Sequence, residues 1–209
     1  MRVLPESPRG RVIAALASVV LALVVGFALG FVTPLLNRPG ENSPEAGFAR
    51  DMAVHHGQAV QMAMLAYTRV SDPELQTVAY DIILQQQYEI GIMNTWLKDW
   101  HLSPTGSQPR MAWMPNGTKE LVNGLMPGMA TDAQLAQLEA SKGHDTDVLF
   151  SQLMLRHHLG GIHMIDGLLE KSHNKTVTEL ATQMKKNQQS EVTLFERKLT
   201  ELNAQPLPN

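Results

Sequence analysis

The sequence contains no cysteine. That excludes disulfides, thiolate metal sites and cysteine nucleophiles, and it leaves methionine, present 12 times, as the one soft ligand type. There is no His-Glu-x-x-His, no phosphate-binding glycine loop and no Gly-x-Ser-x-Gly, and nothing assembles a nucleophilic triad. One stretch lacks charge altogether. Residues 12–32 form an apolar run of 21 residues, long enough for a helix to cross a hydrocarbon layer of roughly 30 Å.

Arg2, Arg9 and Arg11 precede that run, which predicts an N-terminus (1–11) in the cytoplasm and the rest of the chain outside. A cleaved signal peptide is the rival reading, with Ala28-Leu-Gly30 as a cleavage site. The run exceeds the ~7–15 apolar residues of a typical signal peptide, which favours a single-pass anchor over 12–33 in the cell membrane. The first 40 residues hold four arginines and one glutamate; the remainder holds 13 basic and 19 acidic groups. A mildly acidic, exported domain is a poor nucleic-acid binder.

Residues 34–44 are rich in Pro, Gly and Asn and read as a linker. The spacing then predicts helices over about 44–70, 73–100, 145–171 and 176–203, so the fold class is all-α, with a bundle domain over 45–203. Ser43-Pro44-Glu45, Thr131-Asp-Ala-Gln134 and Thr176-Val-Thr-Glu179 carry helix-start signals, the middle one opening a short helix that Gly143 ends. Residues 103–130 form a long connection, broken by Pro and Gly and holding Met111, Trp113, Met114, Met126 and Met129. These methionines are either a copper-capturing segment or a cap on one end of the bundle.

Two stretches match at a constant shift of 102 residues. Phe48, Met52, His55-His56 and Met62 recur as Phe150, Met154, His157-His158 and Met164; Gln86 and Glu89 recur as Gln188 and Glu191. A whole helical hairpin is therefore duplicated. One hairpin cannot bury its apolar stripe alone, so two should pack into a four-helix bundle with approximate two-fold symmetry.

Gln86, Glu89, Gln188 and Glu191 lie on apolar stripes, where a buried polar group must have a partner. The His pairs are the expected partners. Imidazole suits copper, zinc and iron, and thioether suits Cu(I). Paired His with Met52 and Met154 within one helical turn point to copper before iron or zinc, with Glu89 and Glu191 as ligands or as groups orienting the imidazoles. Asp51, Gln86, Gln188, Met62 and Met164 are candidate supporting residues. Two other readings fit the same residues. One is a redox metalloenzyme with true carboxylate ligands, opposed by the absence of Glu-x-x-His at either core glutamate. The other is a structural or partner-binding bundle whose polar layer fixes register and binds no metal.

Phe48-x-x-x-Met52-x-x-His55-His56, followed by Gln85-Gln86-x-x-Glu89-Ile90-x-x-Met93, resembles the bacterial family termed domain of unknown function 305. The second copy departs from that pattern, with Phe195 at the place of Met93. The Met-Pro-Gly-Met at 126–129 is similar to the family's connection, and the resemblance spans about 45–202. It implies a ferritin-like four-helix fold in exported or membrane-anchored proteins, some of which bind copper in the periplasm. The expected partners are thus a metal ion and, through the N-terminal helix, the membrane. The residues name no protein partner.

Overall fold

The computed structural model describes residues 7–36 and 38–208, all helix, turn or loop apart from one isolated bridge between Val122 and Leu125. Helix α1 runs Pro8–Leu36, and its apolar segment is long enough to cross a membrane. The helix continues three residues past the end predicted for the span. Gly40–Asn209 forms a separate unit.

Within that unit every α-helix but one begins where a side chain satisfies a free N–H group. Helix α2 (Pro44–Tyr67) is capped by Ser43, whose Oγ accepts from the Ala46 N–H. Asp72 accepts from Glu74 and Leu75 and starts α3 (Pro73–Asp99). Thr131 and Gln134 form the reciprocal capping box of α4 (Asp132–Ala140). Helix α5 spans His144–Leu169 and begins after Gly143 without a side-chain cap; α6 spans Lys175–Glu201. The last start differs from expectation. Asn174, not Thr176, is the cap of α6: its side chain accepts from the Val177 N–H, so the helix is already under way at Thr176.

Helices α2 and α3 pack as one hairpin, α5 and α6 as the other, and the hairpins meet along α2 and α5. The core divides into two apolar clusters. One joins the C-terminal half of α2 (Met62, Ala66) to the N-terminal half of α5 (Phe150, Met154) and to Phe195. The other joins the N-terminal half of α2 (Phe48, Met52) to the C-terminal half of α5 (Met164, Leu168) and to Met93 and Met184. Helices α2 and α5 are therefore antiparallel, and between the clusters stand the four histidines. The repeat predicted this arrangement: residue pairs related by the 102-residue shift fall in opposite clusters.

The long connection closes one end of the bundle. Met111, Met114 and Met126 are buried in the second cluster. Trp113 packs edge-on to Phe48, with ring centres 5.8 Å apart. Of the two readings of these methionines, the structure gives the cap.

Candidate metal centre

Each half of the repeat builds one histidine–carboxylate pair from the second histidine, not the first. His56 on α2 donates through Nε2 to Glu89 Oε2 on α3, at 2.8 Å. His158 on α5 bonds through Nε2 to Glu191 Oε2 on α6. A carboxylate accepts, so Nε2 is the donor, and in the neutral imidazole each Nδ1, which has no partner, is left with its lone pair. The first histidines of the two pairs face each other instead. The His55 and His157 rings stand 3.8 Å apart, centre to centre, tilted by 33°. His55 Nε2–H donates to the Pro127 carbonyl, at 3.0 Å, which leaves its Nδ1 bare as well.

The buried polar atoms divide sharply. Asp51, Gln58, Thr146, Asp147, Ser151, Ser172 and Lys198 all have partners. Among the described residues, the buried side-chain nitrogens and oxygens without one are His55 Nδ1, His56 Nδ1, His157 Nε2, His158 Nδ1, Gln86 Oε1 and Gln188 Oε1. All six belong to the layer between the clusters. Leaving such an atom unmade costs about 1–3 kcal/mol. The six are not gathered about one point: no three His, Asp or Glu side chains among the described residues are placed to share a single ion. The layer thus offers lone pairs of the right chemistry to a borderline or soft cation, and side-chain rotation would have to bring them together.

The other singled-out residues fall into place around it. Met52 and Met164 lie on one side of the layer, Met62 and Met154 on the other, all fully buried. Phe195 stands edge-on to His158 and to Phe150, so the second half has an aromatic where the first has Met93. Asp51 does not face the layer. Its carboxylate accepts from the Met111 N–H and the Trp113 indole, both at 2.8 Å, and holds the connection down. Burial pushes its carboxyl above the ordinary range, and those two hydrogen bonds oppose that. His101, His144, His163 and His173 are exposed. The chain does hold one Glu-x-x-His, Glu170 to His173, but it sits at the exposed end of α5, away from the core glutamates.

Several contributors gave no pattern to read. The Pro127 carbonyl, partner of His55, is a backbone atom of the connection; the Met-Pro-Gly-Met motif was its sole trace. Gln58 pairs with both backbone groups of Ala130, and Arg156 donates to the Gly128 and Met129 carbonyls, so α2 and α5 together clamp that stretch. Gln85 donates to the second oxygen of Glu89.

Burial drives His55 down to about 3, with the bond to Pro127 pulling the other way. His157 is held well below its ordinary value, first by burial and then by the neighbouring His55. Both are neutral at pH 7. In the unfolded chain they take up protons near pH ~6.5. The unfolded state therefore binds more protons below that pH, and stability falls as the pH drops from ~6.5 towards 3, by about 1.4 kcal/mol per unit for each histidine. Thermal unfolding of the metal-free protein should show a steep loss of melting temperature between about pH 6.5 and 4.5. A His55→Gln, His157→Gln double variant should flatten it.

Comparison with known proteins matches residues 45–199 to the family described as domain of unknown function, DUF305. A DUF305 protein from Streptomyces coelicolor is 39% identical, with a TM-score of 0.74, over 81% of this chain and 100% of its own. A DUF305 fragment from Deinococcus radiodurans is 28% identical, with a TM-score of 0.62, over 76% of this chain and 96% of its own. CopM in its Cu(II)-bound form is 25% identical, with a TM-score of 0.59, over 75% of this chain and 96% of its own. No protein of curated function gives a significant sequence match.

Proposed function

We propose, from the premise that this chain belongs to the DUF305 family, that it is a membrane-tethered, extracytoplasmic copper-binding protein that buffers the metal or hands it over. The observation that carries the reading is the set of buried, unpartnered lone pairs. A layer built only to set helix register would close on itself. This one leaves four imidazole nitrogens without partners at the crossing of α2 and α5.

His55, His56 and His158 would offer Nδ1 to the metal, and His157 would offer Nε2. Glu89 and Glu191 act through the imidazoles: each holds one Nε2–H, fixes the tautomer and raises the basicity of the opposite nitrogen. They are positioning groups in this reading rather than ligands. The imidazoles would suit Cu(II) and thioethers would accept Cu(I), and Met52, Met62, Met154 and Met164 flank the layer on both sides. Ligands of mixed softness suit exchange of the metal better than turnover of a substrate. CopM has been captured with Cu(II), which supports copper over iron or zinc. The charge-free run 12–32 of α1, preceded by Arg9 and Arg11 in the helix's first turn, would supply the tether.

The test uses the full chain in detergent, without a His tag and stripped by chelator. It should bind Cu(I) under reductant, or Cu(II), at micromolar metal or below. It should also gain about 2.7 kcal/mol of stability at 100-fold excess over Kd, because a ligand taken up by the native state alone must stabilise it. Absence of binding by both ions, with an unchanged melting temperature, overturns the reading in favour of a structural layer.

A further inference from the structure

The two carboxylates of the layer are equivalent by repeat but differ in access. The Glu89 side chain is 5% exposed and Glu191 is 16% exposed. Glu89 has both oxygens engaged, by His56 and by Gln85. The repeat counterpart of Gln85 is Asn187, which is too short to reach back one turn in the same way, and no hydrogen bond ends on Glu191 Oε1. Glu191 lines a cleft of about 580 Å³ between α3 and α6, whose walls include Asp81, Gln85, Tyr88, Asn187 and Ser190. The wall holds two acidic side chains and no basic one.

The remaining faces of the layer are closed. Apolar clusters cover it along the bundle axis in both directions. The connection covers the His55 side, with the Pro127 carbonyl on the imidazole and Gln58 and Arg156 holding the backbone down. Helices α3 and α6 share little direct contact; near one end they are tied by Arg197 and Lys198, which bridge to Glu74 and Asp72.

We propose that the α3–α6 cleft is the way by which a metal cation reaches the buried layer, and that Glu191 is the group that receives it. This rests on the metal-centre reading above. A hydrated cation loses water in steps. Glu191 offers a carboxylate on the wall of the cleft, and its Oε2 already touches His158, whose Nδ1 has no partner. Asp81 and Glu191 raise the local cation concentration, as a cleft lined by one sign of charge does. Glu89, sealed by Gln85, keeps its half of the layer closed.

The proposal predicts an effect on rate without an effect on capacity. Ser190→Lys puts a cation at the cleft wall. The full chain in detergent, mixed with Cu(II) ions and followed by stopped-flow quenching of tryptophan fluorescence, should load about tenfold more slowly than the unaltered protein at low salt. The deficit should shrink at high ionic strength, and the amount of copper held at equilibrium should be unchanged. Asn187→Lys should behave alike if Ser190→Lys fails to fold. Thr182→Lys, on the same helix away from the cleft, should load at the normal rate. Equal rates for all three overturn the route while leaving the copper reading intact. An unaltered protein that takes up no copper overturns both.

Discussion

His157→Leu should lower copper affinity by about 100-fold or more and leave the metal-free protein as stable as before, or more stable. His56→Leu should destabilise the metal-free protein by about 3–5 kcal/mol. The contrast follows from what each side chain touches. His157 Nε2 is buried without a partner, so replacing the ring by an apolar side chain of similar volume removes an uncompensated polar atom worth about 1–3 kcal/mol and keeps most of the packing. His56 holds Glu89, and its loss strands a carboxylate that is 5% exposed. A copper site requires the first result, because donors kept ready for a metal are a burden without it. Even the loss of a group that merely orients a ligand lowers metal affinity by about 10–100-fold, and His157 would be a ligand itself. A purely structural layer requires the reverse, with His157→Leu destabilising and no copper bound by any variant. Chemical denaturation and competition against a copper chelator measure the two quantities on the same samples.

Gly160→Ala should destabilise the protein by about 3 kcal/mol and weaken copper binding with it. A Cβ on Gly160 would lie 2.0 Å from the Pro127 carbonyl oxygen and 2.8 Å from the Gly128 nitrogen. Both are backbone atoms, so no side chain can swing away, and overpacking of this kind typically costs 1–3 kcal/mol, occasionally more. The connection must lift off α5. Gly128 sits tightly too: its φ is +79°, and a Cβ there would lie 2.4 Å from the Arg156 carbonyl oxygen. Lifting the connection takes the Pro127 carbonyl from His55 and lets either nitrogen of that ring carry the proton. Gly57→Ala supplies the control. Nothing lies within 4 Å of the added carbon there, and in a helix interior the change should stabilise by about 0.5–1 kcal/mol. A Gly160→Ala protein that melts and binds copper normally would show that residues 127–130 do not position His55.

Much of the layer was legible from spacing. His55, His56, Glu89 and Gln86 fall on helical faces that must be buried, and the 102-residue shift doubles them, so a four-helix polar centre follows from periodicity alone. Periodicity could not assign partners. His55 and His56 are adjacent, about 100° apart on one helix, and each could have met the carboxylate. Asp51 looked like a companion of His55 at one helical turn, yet its carboxylate serves the connection instead. The methionines of the connection had no helical stripe to place them, so their burial under the bundle end was open until the chain was folded.

The sequence by itself determined the helices, the duplicated hairpin, the charge-free N-terminal segment and the set of side chains that had to share a core. These are local properties, set by which residues recur every three or four positions. The tertiary structure alone decided that His56 and His158 take the carboxylates and that His55 and His157 face each other. It decided that a proline carbonyl from 72 residues away sets the His55 tautomer, and that Glu191 is open to a cleft while Glu89 is sealed. Such choices depend on the rotation of each helix about its axis and on where an irregular loop lays its backbone. Neither leaves a period in the sequence.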